Sequence, residues 1–177
     1  MAGTGGNPFW DFSLAVYGRD GVEAACLALQ DRHDLDVNLL LFCCWAGCRG
    51  HALSADDIGT LRKAVAPWRA RAVEPLRNVR RWLKTQAVAP AALAEPLRAR
   101  IKADELAAEA VEQRLLVETV PVGAGDGGPA LAAANLAAYL GDLELVPDDR
   151  DAADLAALVR GCFPTLSRAE AAHYVAG

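Results

Sequence analysis

Long hydrophobic runs are missing from this sequence. Its longest near-continuous apolar stretch, Leu39 to Cys48, falls well short of the ~20 residues that a membrane-spanning helix needs. That stretch reads instead as a buried core helix. Aromatic residues are scarce, at 6%, and no segment alternates polar and apolar residues with a period of two, which excludes a sheet protein. The first residues, Met1 to Pro8, hold neither a basic nor an apolar segment, so no secretory leader is expected there. Chemical signatures are missing as well. There is no G-x-x-x-x-G-K-[ST] phosphate loop, no G-x-G-x-x-G after a strand, no G-x-S-x-G around Ser13 and no cysteine–histidine nucleophile pattern. His33, His51 and His173 are too scattered for a triad, and His33 reads as an exposed, titrating side chain. No catalytic residue, metal or cofactor is therefore expected.

What is present points to helices. Of 177 residues, 53% are apolar, 23% are charged and 37 are alanine. That composition suits one soluble domain with its own core. The five cysteines, an odd number in a chain that needs no bridges, indicate a reduced cytoplasmic protein. Cys43, Cys44, Cys48 and His51 sit close together in sequence, but a helix apolar on every side is a poor zinc site, so these residues read as core.

Helix boundaries are legible. Asn7 caps a first helix with Pro8 at its first position, and Gly18 ends it. Asp20 and Glu23 resemble a capping box for a second helix. Asp36 caps the third, Val37 to Cys48, and Ser54 with Asp57 opens a fourth through Val65. Pro67 and Pro75 are expected to break the next stretch into pieces. After a turn at Ala89-Pro90, a long helix runs from about Ala92 to Val120. The glycine-rich segment 121–129 reads as a flexible linker. Two Ala/Leu helices follow, and Thr165 or Ser167 caps a last short one. The expected fold is all-α: a compact single-domain bundle of seven to nine helices around a central apolar helix (37–48). A flexible N-terminus (1–8) precedes it, and a C-terminal helical extension (130–177) follows the loop.

Charge is segregated along the chain. The net charge is −5, which weighs against nucleic acid as the partner. Residues 60–103 nonetheless carry 11 basic and 2 acidic side chains, a balance of +9, between an N-terminal part at −5 and a C-terminal part at −9. Arg77, Arg80, Arg81 and Lys84 recur at i, i+3, i+4 and i+7 and form one helical stripe. If the flanking helices form an antiparallel hairpin about Ala89, residue n faces roughly residue 178 minus n. The arginines then face Arg98 to Lys102, and Glu105, Glu109 and Glu112 face Arg69 and Arg71. Such a stripe has three outlets: open water, a network with the acidic N-terminal part (Asp11, Glu23, Asp31, Asp34, Asp36), or an external anion.

Several segments together resemble a known family. These are Phe9-Trp10-Asp11-Phe12-Ser13-Leu14, Gly21-Val22 with Cys26-Leu27-x-Leu29-Gln30, Asp36-Val37-Asn38-Leu39-Leu40-Leu41-Phe42, and Trp68 followed by Pro75-Leu76-Arg77-x-x-Arg80-Arg81-x-Leu83-Lys84. They are similar to a family of uncharacterised proteobacterial proteins, a domain of unknown function, over roughly residues 8–120. The resemblance implies a small helical bacterial protein of the cytoplasm and carries no catalytic residues with it.

The expected function is non-enzymatic binding of an acidic protein or a phosphate-bearing or other anionic ligand. Arg77, Arg80, Arg81 and Lys84 are the candidate contacts. Asp11, Asp36, Asn38 and Trp10 are candidate counter-charges or site-lining groups. The alternative is an enzyme that clamps a phosphate-bearing substrate with the same arginines and uses Asp11 or Asp36 for metal or protons.

Overall fold

A computed structural model of the protein describes residues 6–176. Among these residues are nine α-helices and no strand. The helices are α1 (Pro8–Tyr17), α2 (Val22–His33), α3 (Val37–Cys48), α4 (Ala55–Trp68), α5 (Glu74–Thr85), α6 (Ala91–Thr119), α7 (Pro129–Asp142), α8 (Asp149–Cys162) and α9 (Arg168–Ala176). A π-helical turn, Arg69–Val73, joins α4 to α5. The all-α expectation thus holds. Of the expected flexible N-terminus, residues 1–5 lie outside the described residues, while Asn7 and Pro8 already belong to α1 and its cap.

The caps follow local chemistry. Asn7 accepts from the Phe9 N–H, Asp36 accepts from the Asn38 and Leu39 N–H groups, and Ser54 forms a full capping box with Asp57. Ser167, rather than Thr165, pairs with Glu170 at the start of α9. Asp20 does not cap α2. The chain enters through Gly21 at φ 80°, and no side chain reaches the free N–H groups there.

Pro67 and Pro75 do not break the chain either. Helix runs unbroken from Ala55 to Thr85. At Pro75 the π-turn makes this possible: the Glu74 N–H donates to the Arg69 carbonyl five residues back; Pro67 sits in the last turn of α4. That widened turn moves the carbonyls off the α-helical ladder just where the Pro75 ring would clash with one.

Helix α3 is the centre. Leu39, Leu40, Phe42, Cys43, Cys44 and Ala46 are almost wholly buried. Each fully buried Leu or Phe side chain contributes ~1.5–3 kcal/mol, so α3 alone supplies much of the hydrophobic stabilisation. Its largest packing partner is α7, with α1, α2, α6 and α8 closing the remaining sides. Phe9 of α1 sits edge-on to Phe42 at 5.3 Å between ring centres. Helix α7 approaches α3 at Gly47, where a Cβ would overlap the backbone of Ala132. The C-terminal helices are therefore part of the core and not an appendage.

Segment 121–129 corrects the linker expectation. The Gly127 N–H donates to the Cys48 carbonyl at 3.0 Å, and Arg49 Nε donates to the Gly123 carbonyl at 2.8 Å. A Cβ on Gly127 would collide with the Gly47 carbonyl. The glycines let this strap lie flat on the end of α3 and satisfy a terminal carbonyl of that helix.

Helices α5 and α6 form an antiparallel hairpin. Among the described residues α5 packs substantially on α6 and on the π-turn that feeds it. No helix among the described residues is long and apolar enough to cross a membrane.

Gly47→Ala should destabilise the protein by about 3 kcal/mol, because the extra methyl meets backbone on α7 and not a movable side chain. Gly141→Ala, with open space around it, should be neutral or gain up to about 1 kcal/mol. Chemical denaturation of both variants checks the pair; equal midpoints would contradict the α3–α7 contact.

Candidate functional site

Helices α1, α2, α3, α5 and α6 enclose an open cleft of about 420 Å³. Trp10, Leu14 and Tyr17 line it from α1, Leu27 from α2, Val37 and Leu41 from α3, and Leu106 from α6. Leu14, Leu27 and Leu106 are 50%, 37% and 45% exposed, so this apolar wall faces solvent. Arg77, Arg80, Arg81 and Lys84 of α5 and Lys102 of α6 add a cationic lining, with Lys102 one turn from Leu106 on α6. Ser13, Asn38 and Gln113 line the cleft as well.

Six of the eight candidate site residues therefore meet in one place: Arg77, Arg80, Arg81, Lys84, Asn38 and Trp10. Asp11 and Asp36 do not line the cleft. Asp11 is exposed on α1 and Asp36 is buried at the N-terminus of α3.

The arginines divide into two kinds, which corrects the expected hairpin register. Arg77 and Arg80 do not face Arg98 to Lys102. Arg77 donates to Glu105 at 3.1 Å and to Glu109 at 2.9 Å, and Arg80 pairs with both oxygens of Glu105. Helical side chains lean toward the N-terminus of their own helix. On α5 that direction is away from the turn, and on α6 it is toward the turn. The arginines and Glu105 therefore meet although their Cα positions are offset along the hairpin. Trp68, whose indole N–H donates to the Ala108 carbonyl at 2.9 Å, stays close to the simple count.

Burial alone would raise Glu105, but the two guanidiniums hold it below the usual carboxylate range. Glu109 goes the other way: its burial outweighs the pull of Arg77. Arg81 differs from its neighbours. Its partner is Asp31 of α2 at 3.1 Å, and both side chains are at least half exposed. Arg69 similarly pairs with Asp34 at 2.8 Å. Lys84 and Lys102 have no ion-pair partner among the described residues. In all, five cations and three carboxylates (Glu23, Glu105, Glu109) line the cleft.

A polar relay runs beneath. Ser13 Oγ donates to Gln113 Oε1 at 3.1 Å, Gln113 Nε2 donates to Asn38 Oδ1 at 2.9 Å, and Asn38 Nδ2 donates to Glu112 Oε2 at 3.0 Å. The relay ends at two buried carboxyl groups, Glu112 and Asp36. One oxygen of each, Glu112 Oε1 and Asp36 Oδ2, lacks a conventional partner. The Asp36 carboxylate acts directly on Glu112 and favours its protonated form. Burial and the neighbouring Asp36 carboxylate push the Glu112 carboxyl well above the usual carboxylate range, against weaker pulls from the Asn38 amide and from Arg69.

Sequence reasoning missed Gln113 and the acid pair. Their signal was there: Glu105, Glu109, Glu112 and Gln113 share the inward side of α6 at helical spacing. His33 is not freely exposed either; it contacts Asp151 at 2.9 Å beside Arg32, which pairs with the same carboxylate. Cys43 and Cys44 are fully buried in the core. Among the described residues no group of His, Cys, Asp and Glu side chains is arranged to hold a metal ion.

Residues 8–116 match the model of a family described as protein of unknown function (DUF2390). No curated protein and no solved structure matches the chain. The match spans most of the chain and includes every cleft-lining helix, so the chain belongs to that family.

Two predictions follow the buried charges. Removing the charge in Glu105→Gln leaves two guanidiniums facing a neutral amide and should cost about 3 kcal/mol. Asp31→Asn, at the exposed pair with Arg81, should cost less than about 1 kcal/mol. Urea midpoints of the two variants rank the pairs; a reversed order would contradict the burial.

The second concerns pH. The folded state keeps the Glu112 proton, which the unfolded chain releases near the ordinary carboxylate value. This contribution to stability is therefore full below that value and drains away as pH rises through the raised folded-state value. Glu112→Gln carries no titrating proton, so it should gain stability relative to the native protein between about pH 6 and about pH 9, by at most ~1.4 kcal/mol per pH unit. Parallel melting curves for the two proteins across that range would rule out the retained proton.

Proposed function

We propose that the protein is a non-enzymatic binding protein whose cleft takes a small anion attached to an apolar body. One observation carries this reading: a single open cleft combines solvent-facing apolar side chains with a cationic lining in which Lys84 and Lys102 have no carboxylate partner among the described residues. An amphipathic anion satisfies both at once. The cleft volume lies within the ~300–1,000 Å³ typical of small-molecule sites, which favours a small ligand over the face of an acidic protein. Arg77 and Arg80 shape that lining but are held by Glu105 and Glu109, so the ligand charge falls to Lys84, Lys102 and Arg81. The enzymatic alternative loses the two carboxylates it relies on, since neither Asp11 nor Asp36 lines the cleft.

We also place the protein in a bacterial cytoplasm. The unbridged cysteines, in an environment that keeps thiols reduced, support that assignment.

Decanoate and decanol test the proposal, since they share a chain and differ in charge. Decanoate should bind and raise the melting temperature, and decanol should do so much less. The Lys84→Glu, Lys102→Glu double variant should weaken decanoate binding by roughly tenfold or more, equivalent to ~1.4 kcal/mol, and added salt should weaken it in the native protein. Isothermal titration measures both effects. Equal binding of the two probes, no binding of decanoate, or an unaffected double variant would overturn the proposal.

A further inference from the structure

We propose that the tip of the α5–α6 hairpin docks on an anionic phospholipid surface. The apolar turn lines no part of the cleft; Arg81, Lys84 and Lys102 border both features, but the proposal does not depend on what the cleft binds.

The first observation is the turn itself. From Thr85 to Ala94 no side chain carries a charge, and the sequence is dominated by Ala, Val, Pro and Leu. Turns that face water are normally built from polar residues and glycine. Here Val88 is 88% exposed and Leu93 is 71% exposed. Two further apolar groups flank them: Trp82 at 56% and Leu97 at 40%. Among the described residues, α5 packs substantially on α6 and the π-turn alone.

The second observation is the collar of charge behind the turn. Residues 81–102 hold five basic side chains and one acidic one, a balance of +4 in a chain whose net charge is −5. Arg98 is paired with Glu95 at 2.5 Å, and Arg81 shares a surface pair with Asp31. Lys84, Arg100 and Lys102 have no ion-pair partner among the described residues. The long stems of such side chains let the cations reach headgroups while apolar neighbours enter the boundary between headgroups and acyl chains.

An apolar apex behind a basic collar complements an anionic bilayer in both polarity and charge. Trp82 lies within the collar, about one helical turn behind the apex, and its exposed indole suits a membrane interface. The strongly acidic remainder of the chain is repelled by the same surface, so the field itself orients the hairpin tip-first. A protein partner fits less well. A convex turn with four exposed apolar side chains offers little of the ~800 Å² per partner that a stable protein interface buries.

Co-sedimentation of the full chain with vesicles tests this. One set is phosphatidylcholine alone, and the other carries phosphatidylglycerol as a third of its lipid. Binding should occur on the anionic vesicles, be lost at high salt, and be accompanied by a blue shift of Trp82 emission that is missing in Trp82→Phe. Val88→Asp with Leu93→Asp should abolish binding without changing the melting temperature, because both side chains are exposed in the fold. Arg98→Glu with Arg100→Glu should weaken it by roughly tenfold or more. No binding to either vesicle, equal binding to both, or undiminished binding of the Val88/Leu93 variant would overturn the proposal. So would a concentration-dependent dimer that the Val88/Leu93 variant dissolves, which would assign the tip to a second copy of the chain.

Discussion

A helix without a polar face has to be enclosed on every side, and α3 is such a helix. The first consequence is architectural: α7 must approach closely enough that Gly47 has no room for a side chain. The second is chemical. An enclosed helix starts and ends inside the protein, so its unpaired backbone groups need partners there. Asp36 meets the N–H groups at one end, and the glycine strap meets a carbonyl at the other. Bringing Asp36 and Asn38 inside then obliges α6 to supply Glu112 and Gln113, and the buried pair of carboxyl groups follows. The polar relay beneath the cleft is thus a by-product of sealing the core.

The charge pattern of the chain is resolved by depth. Where basic and acidic side chains are buried together, as at Arg77, Arg80 and Glu105, they lock α5 to α6. Where they lie in the open, as at Arg81 and Asp31, they contribute little to stability and stay available. Of the basic excess in residues 60–103, one part is therefore structural, and Lys84, Arg100 and Lys102 stand without ion-pair partners among the described residues. Net charge hides this division completely.

Much of the fold was legible because caps and apolar stripes are local. Asn7, Asp36 and Ser54 act where their side-chain chemistry places them, and the run from Leu39 shows α3 plainly. Most of the misreadings turn on backbone or packing features that caps and stripes do not reveal. Proline reads as a break unless a π-turn moves the carbonyl it would strike. A glycine-rich stretch reads as a linker unless a helix end lies where its missing side chains are needed. The arginine stripe was correctly placed on one helical face, but its partners depended on the lean of side chains in two antiparallel helices. Trp10, Asn38 and the α5 cations could be grouped from sequence as candidates; that they border one cleft, and that Asp11 and Asp36 do not, required the packing of five helices.

The hairpin has no loop where it leaves the body. One leg is the unbroken helical rod from Ala55 to Thr85, and the other is α6, continuous from Ala91 to Thr119. Both legs are rooted in the core at their far ends, through Leu61 and Val65 on one side and Leu116 on the other. In mechanical terms the arm is a cantilever and not a flap: it cannot swing on a flexible joint. The α-helical ladder departs from its regular pattern at the widened turn Arg69–Val73 in one leg and at Pro96 in the other, and the first of these feeds directly into the cationic lining of the cleft on α5.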